Sequence, residues 1–177
     1  AIFSDLGIGP AVIQHKNLDR HDLGGIFSLS VWSGAVMALL FFAAAGWIAS
    51  LYGDSQVLRN VLRILALNLF FAAANIVPNA LILKEKRFRF AMRSLTVQIA
   101  GGTAAIAAAY AGAGIYALTI NPVFSSLMLL AINYRQNPLP LRLRPGRKAL
   151  GKVFSFSDYQ FSFQLINYFS RNLDKLL

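Results

Sequence analysis

Apolar residues run almost without a break along three parts of this 177-residue chain. Residues 23–53 hold 31 positions without a charge, 64–83 hold 20, and 94–134 hold 41. A helix that spans a bilayer needs about 20 predominantly apolar residues, and no soluble domain of this size buries three such runs. The third run contains Ala111-Gly112-Ala113-Gly114, a tight turn in which glycine relieves backbone strain. It leaves room for a helix on either side. Tyr52-Gly53-Asp54 closes the first run, with Trp47 and Tyr52 where an interfacial aromatic belt lies. The pattern therefore predicts four complete helices, over about 22–52, 56–83, 90–111 and 115–135. A partial helix ends near Gln14 and another begins near Val153. The fold class is all-α, a polytopic helical membrane protein.

The organisation that follows places membrane helices in residues 1–135 and a connector in 136–152. Residues 153–177 begin a further helix. The connector, QNPLPLRLRPGRKALG up to Gly151, carries three prolines and many charges, as a link between two helical bundles does.

Composition agrees with this picture. Hydrophobic residues make up 56% of the chain and charged ones 14%, against roughly 25% charged in soluble domains. Seventeen basic residues face seven acidic ones, a net charge of +10. Such an excess suits nucleic acid, a membrane surface or acidic ligands, and position decides among them. Residues 15–22 hold two Lys or Arg, 84–93 hold five and 135–152 hold six, so that 13 of the 17 sit in alternate connections. The turns at 52–58 and 111–114 have none. By the positive-inside rule the basic side is cytoplasmic. A nucleic-acid binder gathers its charges into one patch, so nucleic acid is not expected as a partner. Within the basic run, KEKRFR sets topology and meets anionic lipid headgroups. The absence of cysteine excludes disulfides and thiolate metal sites. The chain opens AIFSDLGIG, without a basic region and apolar core, which predicts no signal peptide in these residues.

Candidate chemistry lies in the polar positions of the helices. Gln160, Gln164, Asn167, Arg171 and Asp174 are spaced by four, three, four and three residues, one stripe of a helix, with Tyr168 and Lys175 at its edge. Asn60, Asn68, Asn75 and Asn79 fall within an arc of roughly 100°, and Arg63 lies beside it. Pro78 and Pro122 interrupt the second and fourth complete helices. Amide side chains in a bilayer often serve only as hydrogen bonds between helices. Ionisable ones at membrane depth are costly and face water-filled cavities, although Arg171 and Asp174 also suit an ion pair one turn apart. Arg59 and Arg63, nearer the outer interface, have the length to snorkel. Small residues at Gly101-Gly102 and 103–109 suit close helix packing. His15 and His21 read as loop residues. No phosphate-binding G-x-x-x-x-G-K-[ST] loop or G-x-S-x-G elbow occurs, and DLGIG is too short for a nucleotide fingerprint. No metal, cofactor or catalytic group is expected.

Four stretches carry a family resemblance: FSDLGIGPAVIQHKNLDRHDL, VLRILALNLFFAAANIVPNALILKEKRF, GAGIYAL and FSFSDYQFSFQLINYFSRNLDKLL. In this order they resemble the bacterial polysaccharide transporter, or oligosaccharide flippase, family, part of the multidrug and lipid-linked oligosaccharide exporters. The resemblance implies about twelve or more helices in two lobes around a central cavity. This chain would be an internal fragment running from the second to the seventh transmembrane helix. It further implies a multi-pass protein of the bacterial cytoplasmic membrane. That protein would flip a polyprenyl-pyrophosphate-linked oligosaccharide to the outer leaflet, with membrane lipids and polysaccharide polymerase or export machinery as partners. A cationic cavity suits pyrophosphate, because arginine forks pair with phosphate oxygens. The expected cavity residues are Arg171, Asp174, Lys175, Asn167, Gln164, Arg63 and Asn75. Two alternatives remain open. A cation antiporter of the same group would use carboxylates within helices, where only Asp5, Asp158 and Asp174 qualify. A membrane enzyme acting on polyprenyl phosphates would need paired carboxylates or a metal cluster.

Overall fold

A computed structural model describes residues 8–14, 18–53, 55–85 and 87–141. The stripe expected on residues 160–175 and the helix beginning near Val153 lie outside these residues. Five helices follow in order: α1 (Ile8–Gln14), α2 (Arg20–Leu51), α3 (Gln56–Glu85), α4 (Arg87–Tyr110) and α5 (Ala117–Gln136), the last entered through a 3-10 turn at Gly114–Tyr116. No strand occurs among the described residues. α2 packs chiefly on α3, α3 on α5, α4 on α5, and α1 on α3.

Each boundary has a local cause. α2 opens after Asp19, whose backbone is extended, and carries Asp22 in its first turn, where a carboxylate complements the helix dipole. It ends at Tyr52 and Gly53, the latter at φ 83°, a left-handed conformation that favours glycine. The AGAG turn closes α4 by a paired bond pattern: Gly112 N–H donates to the Ala109 carbonyl at 3.1 Å, and Ala113 N–H to that of Ala108 at 2.9 Å. Gly112 at φ 89° makes this cap possible.

Three helices, residues 20–51, 56–84 and 114–136, are long and apolar enough to cross a membrane. Their surfaces support that reading. Val36, Met37, Leu39, Leu40, Trp47 and Leu51 of α2 are all more than half exposed. A helix apolar all round, with large side chains outward, is matched to lipid rather than water. The remaining long helix, α4, has 24 residues, about 36 Å at 1.5 Å per residue. Its length suits the crossing expected over 90–111, but it is not among the three helices apolar enough to span. Its apolar content comes largely from alanine, and Gln98, Thr96 and Thr103 are exposed along it.

Contacts between helices rest on small residues. A Cβ added at Gly34 would collide with the Ala73 methyl of α3, and one at Gly101 would collide with Asn121 and Ser125 of α5. At Gly102 the space is open, and the exposed side chains at 103, 106, 107 and 109 show that close packing on α4 is confined to one face.

The apolar core gathers at the end of the bundle that carries the basic connections. It comprises Ile8 and Val12 of α1, Ile26 and Phe27 of α2, Val77 and Ala80 of α3, and Leu139 beyond α5. Tyr134 ties Leu139 in, its hydroxyl donating to the Leu139 carbonyl at 3.2 Å while its ring stacks on Phe27 at 5.8 Å. Pro140 then lies on Gly24, where a Cβ would come within 2.9 Å of Pro140 Cγ. Thus the segment that follows α5 is docked on α2.

Candidate functional site

The asparagine arc of α3 faces α5. At its C-terminal end stands Asn133 of α5, fully buried, three residues from the α5 terminus. Its amide nitrogen donates to Asn75 Oδ1 at 2.9 Å and to Asn79 Oδ1 at 3.3 Å. Its Oδ1 accepts from Arg93 Nη1 of α4 at 3.0 Å. Arg93 Nη2 in turn donates to Gln136 Oε1 at 2.9 Å. Guanidinium has donors only, so Asn133 must present oxygen to Arg93 and nitrogen to α3. The network is therefore directional, from a cation on α4 through α5 to two carbonyl oxygens on α3.

Chemically this arrangement fastens three helices. Buried amides are costly unless satisfied, and a network that satisfies them fixes relative helix positions. Nearer the N-terminal end of α3, Asn60 Nδ2 of the same arc donates to the Tyr116 hydroxyl at 3.4 Å. Together these contacts tie both ends of α3 to the α4–α5 hairpin.

A family model for polysaccharide biosynthesis proteins matches residues 1–177. The chain belongs to this family. No curated protein and no solved structure matches it. In this polysaccharide biosynthesis protein, then, membrane-length helices carry amide and guanidinium groups between them.

The structure places two of the sequence-expected site residues and separates them. Asn75 belongs to the inner network. Arg63, three turns and more toward the N-terminal end of α3, lies over the Phe42 ring of α2, with the guanidinium carbon 5.1 Å from the ring centroid. The separation of twelve positions amounts to about 18 Å of helix. Gln164, Asn167, Arg171, Asp174 and Lys175 lie outside the described residues. Arg93, Asn133 and Gln136 were absent from the expected set. Arg93 read as one more basic loop residue, although it is the last charge before a 41-residue uncharged run. That position, inside a helix that begins at Arg87, was the available signal. Among the described residues, no three His, Asp or Glu side chains gather as a metal site.

Proposed function

We propose that this polysaccharide biosynthesis protein is part of a flippase that moves polyprenyl-pyrophosphate-linked oligosaccharide from the cytoplasmic to the outer leaflet of the bacterial inner membrane. The observation that carries the reading is a coincidence. A chain of the polysaccharide biosynthesis family is built from helices of membrane length. A nascent glycan must cross that barrier, and its charged headgroup will not enter hydrocarbon unaided. In this reading the protein is a transporter and catalyses no bond chemistry. Residues 1–135 belong to one lobe, 136–152 link it to a second, and 153–177 begin that second lobe.

The ligand is held by the polar stripe after the connector. Arg171 pairs with the pyrophosphate oxygens, Asp174 one turn on holds the guanidinium, and Lys175 assists. Gln164 and Asn167 offer hydrogen bonds to sugar. Of the two site residues on α3, Asn75 steadies the inner wall of the same lobe through Asn133. Arg63 belongs with the outer part of α2 and α3, so phosphate contact falls to Arg171.

Export by cells expressing the full-length protein tests this. Arg171→Ala abolishes glycan export at unchanged membrane expression, while Arg171→Lys restores only part, since an ammonium does not fork onto two phosphate oxygens. Normal export by Arg171→Ala, or full activity in the Arg171→Asp/Asp174→Arg exchange, would show the pair to be structural.

A further inference from the structure

A groove of about 290 Å³ runs between α2 and α3. Its walls are aliphatic and aromatic throughout, among them Ala38 and Phe42 of α2 and Ala66, Leu67 and Phe70 of α3. Arg63 precedes Ala66 by one turn and sits over Phe42, which is itself a wall of the groove. Its Nε is buried and has no hydrogen-bond partner among the described residues. The only carboxylates on these two helices, Asp22 and Glu85, stand at the opposite end of the pair. Asp54, in the turn between them, lies outside the described residues. An apolar slot that ends in a guanidinium with no carboxylate partner among the described residues fits an amphiphile with an anionic head.

Depth supports the same occupant. α3 has 30 residues, about 45 Å of helix, roughly 15 Å more than the hydrocarbon core of a bilayer. Centred in that core, it enters hydrocarbon about 7 Å from Gln56. Arg63 lies about 10 Å from the same end, at the boundary between headgroups and chains. From there the groove residues up to Phe70 descend about 10 Å toward the midplane, the course an acyl chain takes. We propose that this groove is a binding site for an anionic phospholipid of the surrounding bilayer, its phosphate on Arg63 and its chain between α2 and α3. The guanidinium supplies a planar fork matched to phosphate, and since its Nε is buried the two Nη groups are the donors offered to the headgroup. The site requires only that α2 and α3 cross the membrane, so it stands or falls apart from the glycan reading.

Native mass spectrometry of the intact protein, released from bilayers of equal phosphatidylglycerol and phosphatidylcholine, tests the proposal. The lipid that survives delipidation should be phosphatidylglycerol by roughly five-fold, the worth of about one basic residue at an anionic surface. Arg63→Gln should bring that ratio close to one, and Arg63→Lys should keep part of it. Ala38→Phe, which fills the groove, should lower retention of both lipids. A phosphatidylglycerol preference unchanged in Arg63→Gln, or retention unchanged in Ala38→Phe, overturns the proposal. So does protein purified from cells that carries a lipid-linked glycan at this site and shows no phosphatidylglycerol preference in defined bilayers.

Discussion

At the scale of single residues, the decisive position is Asn133. One side chain meets Asn75, Asn79 and Arg93, and so joins three helices. Removing it leaves the buried amide oxygen of Asn75, and the half-buried oxygen of Asn79 and guanidinium arm of Arg93, without their partner. Each such orphaned group costs about 1–3 kcal/mol, and hydrogen bonds between membrane helices are weaker on average. Asn133→Leu, nearly isosteric, should therefore destabilise the detergent-solubilised protein by about 1–3 kcal/mol, read as a lower thermal midpoint. A midpoint equal to wild type would show that the network fastens nothing. The asparagine arc on α3 was legible in the sequence, because four amides repeat at helical spacing. Its partners were not. Asn133 is a lone amide 58 positions from Asn75, and no periodicity announces a contact that only the packing of α3 on α5 creates.

Helices were the most legible scale. Their positions follow from charge-free runs closed by glycine and aromatic residues, and the observed ends lie within a few residues of the expected ones. Which face of each helix meets which neighbour was less accessible. Gly101 and Gly102 read alike in sequence, yet only Gly101 lies against α5. Gly34 was a glycine in an apolar run like any other, and it proves to be the contact of α2 with Ala73 of α3. Neither helix can retreat there without opening the crossing. Gly34→Leu should thus lower the yield of folded, monodisperse protein in detergent and its thermal midpoint, whereas Gly46→Leu, where nothing lies within 4 Å, should be tolerated. Equal behaviour of the two variants would remove the close-packing account of the α2–α3 pair.

For the whole molecule, function depends on how the chain threads the bilayer. The apolar core and the Asn133–Arg93 network both sit at the end of the bundle that carries the basic connections, and Pro140 folds back on Gly24 at that end. The opposite end holds the two glycine turns and the Arg63 end of the apolar groove between α2 and α3. Under the proposed flippase reading, this asymmetry gives a firm seam on the basic side and leaves the other half to lipid. Charge placement gives the expected orientation, and the proposed cargo rests on family likeness and the chemistry of phosphate. The native chain has no cysteine, so a single introduced thiol reports one position without background. The most direct measurement is therefore labelling of intact cells with a membrane-impermeant thiol reagent, on full-length protein carrying one cysteine at Ser55, Ala113, Lys86 or Arg144. The account predicts labelling at Ser55 and Ala113, and at Lys86 and Arg144 only after the membrane is permeabilised. Labelling of Lys86 or Arg144 in intact cells, with Ser55 and Ala113 protected, would contradict it.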